Sequence, residues 1–167
     1  MVEINSIKIK NTMEKRLIAN RIKTPDGTIL WSRSVHDFVA YEDTKTGERY
    51  ILDGGTEYTH GSINKIPAKD VSIYSTAKWK TLRNYIIRNT LLLDSNGNQT
   101  GESGYVRLSN MSDAHLVNLK EYLELRGSGS KLVQYIKKEQ AYRKKNGISI
   151  PEHDYTPELV KSIEVAK

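Results

Sequence analysis

The sequence predicts an α+β fold in which an antiparallel sheet from the N-terminal half is packed by C-terminal helices. Short runs before residue 60 alternate apolar with polar side chains, which is the period of a half-exposed strand. Asn96-Gly97 is the strongest hairpin-turn signal in the chain. After residue 112, apolar residues recur at three- and four-residue spacing, which is typical of amphipathic helices.

Length and composition favour a single domain over residues 1–167. Residues 1–110 are expected to be mainly β with one short helix, and residues 112–167 to be mainly helical. The hydrophobic fraction is 37%, and ten tyrosines accompany a single phenylalanine. Tyrosine rings must therefore supply much of the core volume, with their hydroxyls at half-buried positions.

The N-terminal half predicts an antiparallel meander of short strands. Its turns are marked by Pro25-Asp26-Gly27 and by the turn formers of residues 42–48. Gly54 and Gly55 end the meander, because two adjacent glycines let the chain turn sharply, and residues 59–69 are expected to form a loop. The predicted strand-forming segments are 5–22, 28–33, 38–41, 49–52 and 71–74.

Helices are predicted mainly in the C-terminal third. Leu82, Tyr85 and Ile86 recur at helical spacing, which predicts a short helix over residues 77–87 before the second hairpin. Ser112 has the side chain of a helix N-cap. The hairpin strands are predicted at 89–94 and 104–108, and the later helices at 112–127, 131–145 and 156–165, the last capped by Thr156.

Cysteine is absent, which excludes disulfides, thiolate metal sites and cysteine nucleophiles. No apolar run approaches the roughly 20 residues that span a bilayer, and residues 1–11 lack the core of a signal peptide. We therefore expect a soluble protein that does not enter a membrane.

Charge is distributed in blocks around a net formal charge of +6. Residues 24–60 carry three basic and seven acidic side chains, whereas residues 61–91 carry six basic and one acidic. Within the basic block, residues 65–88 interleave lysine and arginine with Trp79 and Tyr85. This pattern is typical of nucleotide sites, where guanidinium groups hold phosphate and rings stack on bases. It also fits an amphipathic helix with solvated lysines.

Seven residues are candidate contacts for an anionic ligand. Gly54 and Gly55 could cradle a phosphate through exposed backbone amides, but no Lys-Ser or Lys-Thr follows as in a P-loop, and a tight turn is the alternative. The candidates are Arg33, Gly54, Gly55, Trp79, Arg83, Arg88 and Arg107. The junction between the acidic block and the basic segment is the expected place for the site.

His36 and Asp37 are the most enzyme-like pair, because histidine exchanges protons near neutral pH and a carboxylate can orient it. A small hydrolase or phosphoesterase that uses His36 with Asp37 or Asp53 is therefore one alternative. Adjacent strand residues point to opposite faces, however, which would separate the pair. His60 and His115 add no H-x-H or H-x-x-x-H spacing, so no metal site and no cofactor are predicted.

Four segments form a further set: HDFVAYED at 36–43, GERYILDGGTEY at 47–58, NMSDAHL at 110–116 and EQAYRKKNGISI at 139–150. Together with the arginine-bearing hairpin, they resemble a group of small accessory proteins encoded by tailed bacteriophages. The resemblance extends over residues 21–150. It implies a location in the host cytoplasm and a protein that redirects host machinery or counters host defences by binding.

The leading hypothesis is a non-enzymatic phage accessory protein that acts on a host protein or sequesters an anionic nucleotide-type ligand. A nucleic-acid-binding protein is a second hypothesis, because the chain is basic. The hydrolase is a third. An interaction protein whose helices pack on a host partner is a fourth, and it would expose an apolar patch.

Overall fold

Antiparallel strands precede two long C-terminal helices, which confirms the predicted α+β class. The computed structural model describes residues 14–94, 96–127, 130–152 and 158–167. The strands are β1 (Leu17–Lys23), β2 (Ile29–Ser32), β3 (Val39–Glu42), β4 (Arg49–Asp53), β5 (His60–Gly61), β6 (Lys69–Asp70), β7 (Ile73–Tyr74), β8 (Ile87–Leu93), β9 (Gln99–Arg107) and β10 (Ile163–Glu164). The helices are α1 (Trp79–Leu82), α2 (Asp113–Leu125) and α3 (Ser130–Asn146).

The strands of the described residues form three antiparallel sheets. The largest has the order β10-β2-β1-β6, and β7 also pairs with β1. The second has the order β3-β4-β5, and β8 with β9 forms a separate hairpin. The predicted pairing of β1 with β2 and of β3 with β4 is thus confirmed. The predicted continuous meander is wrong, because β2 pairs with β1 and β10 and β3 belongs to a different sheet. The part of the first predicted strand before residue 14 lies outside the described residues.

Two aspartates bond the turns of the first two hairpins to each other. Asp43 is buried, and its Oδ2 accepts a hydrogen bond of 2.8 Å from the backbone N–H of Asp26. Asp26 Oδ2 in turn accepts one of 3.0 Å from the backbone N–H of Thr44. Each carboxylate satisfies a backbone donor of the other turn, so the two turns are held together.

Three hydrophobic clusters lie among the described residues. One joins the first two sheets through Leu30, Val39, Tyr50 and Leu52. A second consists of Ala19, Trp31 and Val160 and lies where the C-terminal segment returns to the large sheet. The third packs the β8–β9 hairpin against the helices, with buried Leu82, Ile86, Val106, Leu108, Met111, Leu116, Leu119, Leu123, Val133 and Ile136.

The two long helices confirm the predicted boundaries to within one or two residues. Ser112 Oγ accepts a hydrogen bond of 3.1 Å from the backbone N–H of His115, as expected of an N-cap. Gly127 follows α2 at φ +61° and Gly147 follows α3 at φ +65°, a conformation that favours glycine at helix ends. No helix in the described ranges has both the length and the apolar character needed to cross a membrane.

The helix predicted over residues 77–87 is wrong in length. It ends at Leu82, and the chain continues through turns into β8. The backbone N–H of Leu108 donates to the carbonyl of Ile86 at 2.8 Å, so pairing with the hairpin begins before the predicted helix would end. Leu82 and Ile86 are nevertheless buried in the core. The turns that follow Leu82 therefore bury the same side chains that the predicted helix would have buried.

The C-terminal helix predicted over residues 156–165 is also wrong. Ile163 and Glu164 form β10, which pairs with the open edge of β2. Thr156 and Pro157 lie outside the described residues. Within the loop predicted at 59–69, the structure adds β5 and the start of β6 as short strands.

Candidate ligand cleft

A polar cleft of about 520 Å³ lies between α1, the end of β9 and the start of the described C-terminal segment. Small-molecule sites commonly have volumes of roughly 300–1,000 Å³, and this cleft falls in that range but is largely open to solvent. The lining combines two cations, two amides, a hydroxyl, an aromatic ring and one carboxylate. The lining residues are Lys80, Thr81, Asn84, Tyr85, Arg107, Asn110 and Glu158.

Helix α1 and the turn that follows it position one wall of the cleft. Asn84 Nδ2 donates to the carbonyl of Lys80 at 3.0 Å, which orients the amide. The carbonyl of Asn84 accepts a hydrogen bond of 3.1 Å from Nε of Arg107. Arg107 is the last residue of β9 and pairs with Ile87, the first residue of β8. The hairpin register therefore brings Arg107 to this wall.

The Nη atoms of Arg107 retain unused hydrogen-bonding capacity. Nη1 lies 3.9 Å from a carboxylate oxygen of Glu158, and Nη2 lies 3.9 Å from one of Glu164. Both separations exceed hydrogen-bond distance. Because the Glu158 side chain is 80% exposed, its attraction to Arg107 is weakened by solvent. Arg107 can thus turn both Nη groups to an anion in the cleft.

An aromatic layer adjoins the cleft. Tyr85 lines it, and the centroid of the Tyr85 ring lies 5.6 Å from that of buried Trp31. Arg107 Cζ lies 5.9 Å from the Trp31 ring centroid. Arg21 Cζ lies 4.7 Å from the Tyr85 centroid. The cleft therefore joins cationic groups to an aromatic surface.

Two predicted arginines are engaged elsewhere. Arg33 makes a forked pair with Asp37, at 2.8 Å from Nε and 3.2 Å from Nη2, and its Nη1 donates to the carbonyl of Val160 at 2.9 Å. Arg83 Nε donates to buried Glu139 at 2.9 Å. Neither residue lines the cleft. Their contacts hold the turn after β2 and helix α3 in place.

Arg88 and Arg107 lie on opposite faces of the hairpin. Arg88 pairs with Val106, whereas Arg107 pairs with Ile87, and neighbouring strand residues point to opposite faces. Burial lowers the pKa of His115, and the charge of Arg88 lowers it further. The Arg88 side chain therefore lies on the side of the hairpin that faces α2, away from the cleft.

Trp79 belongs to the packing of α1 against α3. The centroid of its ring lies 6.0 Å from that of Tyr135, and Lys138 Nζ lies 5.7 Å from the Trp79 ring. Trp79 is not among the residues that line the cleft. Of the seven predicted ligand contacts, Arg107 alone lines it.

Gly54 and Gly55 form the tight turn that was the alternative to a phosphate cradle. Their φ angles are +85° and +57°, and a Cβ on Gly54 would lie 1.4 Å from the carbonyl oxygen of Tyr58. The N–H of Gly54 donates to Asp53 Oδ1 at 2.8 Å, and that of Gly55 donates to Ser32 Oγ at 2.9 Å. Both amides are thus engaged within the protein, and the junction next to them does not form the cleft.

His36 and Asp37 lie in a turn between β2 and β3, which corrects the expectation that they occupy a strand. The N–H of Asp37 donates to the carbonyl of Ser34 at 3.0 Å. Desolvation raises the pKa of Asp37, but hydrogen bonds from Arg33 and its charge outweigh this effect and lower it. The carboxylate is therefore held by Arg33, while His36 is exposed.

The other residues of the hydrolase and metal alternatives are also dispersed. Asp53 and His60 are cross-strand partners in β4 and β5, and His60 stacks on Tyr58 with ring centroids 5.8 Å apart. His115 lies on α2. Across the described ranges, no three histidine, aspartate or glutamate residues are grouped as metal ligands.

Several lining residues were missed by sequence reasoning. Thr81, Asn84, Asn110 and Glu158 belong to no recognisable motif, and their convergence depends on the hairpin register and on the return of the C-terminal segment. Lys80 and Tyr85 did fall within the predicted basic segment. The interleaving of cations with rings was thus the one useful signal.

Comparison with family models, curated proteins and solved structures yields no match. The resemblance to phage accessory proteins stays a prediction from sequence. The function is therefore argued from the geometry of the cleft.

Proposed function

We propose that this chain is a non-enzymatic binding protein that holds an anionic nucleotide-type ligand in the cleft. The observation that carries the proposal is the geometry of Arg107. Its Nε is anchored on the carbonyl of Asn84, while its Nη atoms have no acceptor within hydrogen-bond distance among the described residues. An anchored guanidinium with free donors suits phosphate, which accepts paired, charge-assisted hydrogen bonds.

The remaining lining groups fit the other parts of a nucleotide. Lys80 supplies a second positive charge for the phosphate. Tyr85 supplies a ring on which a base can stack. The amides of Asn84 and Asn110 can both donate and accept hydrogen bonds, as the edge of a base requires.

The biological role that we propose is sequestration of a nucleotide signal in the host cell, in host takeover or counter-defence. This role follows the resemblance to phage accessory proteins. Binding to nucleic acid is the competing reading of the same positive charge. The two differ in salt dependence, because a long polyanion releases many counterions on binding and a mononucleotide few.

Calorimetric titration with pyrophosphate, ADP and adenosine tests the proposal. ADP should bind most tightly, pyrophosphate more weakly and adenosine weakest. Arg107→Met and Lys80→Met should each weaken ADP binding by about 10- to 100-fold, because each removes a charge-assisted contact.

Lys65→Met is the matched control, since Lys65 is an exposed lysine of the same basic segment that does not line the cleft. It removes the same charge and should leave ADP binding within about twofold. Equal weakening by all three variants would show a diffuse charge effect and overturn the proposal. Absence of ADP and pyrophosphate binding to the unaltered protein would also overturn it.

A further inference from the structure

Arg21 is a buried arginine whose charge has no carboxylate partner among the described residues. It lies on β1 and is 8% exposed. Its Cζ lies 4.7 Å from the centroid of the Tyr85 ring and 5.4 Å from that of Trp31. Its Nε is enclosed and has no hydrogen-bond acceptor within the part of the chain that the structure describes. The guanidinium thus packs on two rings instead of pairing with an acid.

The other buried arginine of the described residues, Arg143, has a different environment. It is 3% exposed, and its guanidinium donates to Glu139 at 2.8 Å and to Asp113 at 2.9 Å. It also donates to the carbonyl of Leu108 at 3.2 Å. The charge of buried Arg143 is therefore balanced by two carboxylates, whereas buried Arg21 has no carboxylate partner among the described residues.

An unpaired buried charge carries a desolvation penalty that contacts with aromatic rings offset only in part. A buried charge without a carboxylate partner breaks the usual rules of packing, which is typical of functional positions. The position of Arg21 beside the cleft suggests which function it serves.

Tyr85 connects Arg21 to the cleft, since the same ring contacts the Arg21 guanidinium and lines the cavity. Arg107 reaches the same aromatic layer from the cleft, 5.9 Å from the Trp31 centroid. Charges separated by rings instead of water are weakly screened. The positive charge of Arg21 therefore adds to that of Arg107 at the place where an anion would lie.

We infer that Arg21 is an affinity-determining residue of the cleft, whose unpaired charge attracts the anionic group of the ligand through the Tyr85 ring. The inference rests on the proposed function, and it identifies Arg21 as a residue whose charge contributes to the affinity of the cleft for anions. Arg21 acts without touching the ligand, so it is a positioning residue. Its removal should have opposite effects on stability and on binding.

The test compares Arg21→Met, Arg21→Lys and the unaltered protein by thermal unfolding and by calorimetric titration with pyrophosphate. Arg21→Met should raise Tm by at least about 2 °C, because it removes the unpaired charge. It should weaken pyrophosphate binding at least fivefold. Arg21→Lys retains the charge and should bind pyrophosphate within about twofold of the unaltered protein.

Arg83→Met is the contrasting variant, since it removes a paired arginine and should lower Tm. A fall in Tm for Arg21→Met would show that Arg21 is structural and would overturn the inference. Unchanged pyrophosphate binding by Arg21→Met would overturn it as well, while the proposed function would stand if Arg107→Met still weakened binding. If the unaltered protein binds neither pyrophosphate nor ADP, both proposals fail.

Discussion

Glu139 accepts a hydrogen bond of 2.9 Å from Nε of Arg83, which lies 56 residues earlier in the chain. The same carboxylate is fully buried and also accepts a hydrogen bond of 2.8 Å from Nε of Arg143, one turn further along α3. Arg143 continues the network to Asp113 at the start of α2. A single acid thus ties the turn after α1 to both long helices.

Replacement of Glu139 by glutamine should lower the free energy of unfolding by about 3–5 kcal/mol, because it leaves the half-buried Arg83 guanidinium without an anion and leaves buried Arg143 with Asp113 alone. Urea denaturation measures this change. Glu124→Gln is the matched control, since Glu124 forms an exposed pair with Lys137 at 3.7 Å and should change stability by less than about 1 kcal/mol. Equal effects of the two substitutions would contradict the buried network.

Gly54→Ala should destabilise the protein by at least about 3 kcal/mol, because the new Cβ would collide with backbone as well as adopt a positive φ. Gly47→Ala provides the comparison. Gly47 also has a positive φ, +71°, but a Cβ there meets nothing within 4 Å. Gly47→Ala should lower the free energy of unfolding by about 1–2 kcal/mol, which is the penalty of the left-handed conformation alone. If Gly54→Ala and Gly47→Ala lowered the free energy of unfolding by similar amounts, the Gly54 turn would not be packed as described.

Stability should fall as the pH drops below about 4, and Asp26 should account for part of the slope. Desolvation raises the pKa of Asp26, but hydrogen bonds from Thr44, Thr28, Tyr41 and Thr24 outweigh it and hold the pKa well below its usual value. A lowered pKa in the folded state stabilises the fold above the unfolded pKa of about 3.9, and this stabilisation is lost as the pH falls further.

Urea denaturation between pH 7 and pH 2.5 measures this dependence. Asp26→Asn should be less stable at pH 7 and should show a smaller loss of stability on acidification, because the titrating carboxyl is gone. Glu121→Gln, at an exposed position on α2, should keep the slope of the unaltered protein. An Asp26→Asn variant with an undiminished acid slope would contradict the role assigned to this carboxylate.

Glu158→Gln should tighten pyrophosphate binding by about two- to fivefold, because it removes the carboxylate that competes for Nη1 of Arg107. The effect is small because Glu158 is largely exposed. Glu57→Gln changes the net charge equally at an exposed position outside the cleft and should leave binding unchanged. Calorimetric titration of both variants with pyrophosphate measures the two affinities. Weaker binding by Glu158→Gln would contradict the prediction, because it would show that Glu158 assists binding of the ligand.

The parts of the fold that could be predicted from the sequence are those that depend on residues close together in the chain. The β3–β4 hairpin, the Ser112 cap and the glycines after α2 and α3 depend on a few adjacent residues, so their chemistry is visible in short segments. Helical spacing at Leu82 and Ile86 was misleading, because turns that lead into β8 bury the same residues. The strand β10 was missed, since its stability comes from the distant edge of β2.

The cleft depends on contacts that the sequence does not display. Arg33, Arg83 and Arg107 are equivalent as residue types, but the first two pair with Asp37 and Glu139, and the third keeps its Nη donors. Tertiary packing decides which arginine forms close hydrogen bonds with an acid, since the carboxylates of Glu158 and Glu164 stay 3.9 Å from the Nη atoms of Arg107. Arg21 was not a candidate for the same reason, because its lack of an acid partner appears only when β1 is packed against Tyr85.

Amide chemical-shift changes in the ¹H–¹⁵N NMR spectrum on addition of ADP test most directly whether the ligand binds in the cleft. The largest changes should occur at residues 80, 81, 84, 85, 107 and 110, which line the cleft, and they should saturate with a single affinity. In Arg107→Met the same changes should reach half-saturation only at an ADP concentration about 10- to 100-fold higher. Changes confined to the outer faces of α2 and α3, or no changes at all, would contradict the account.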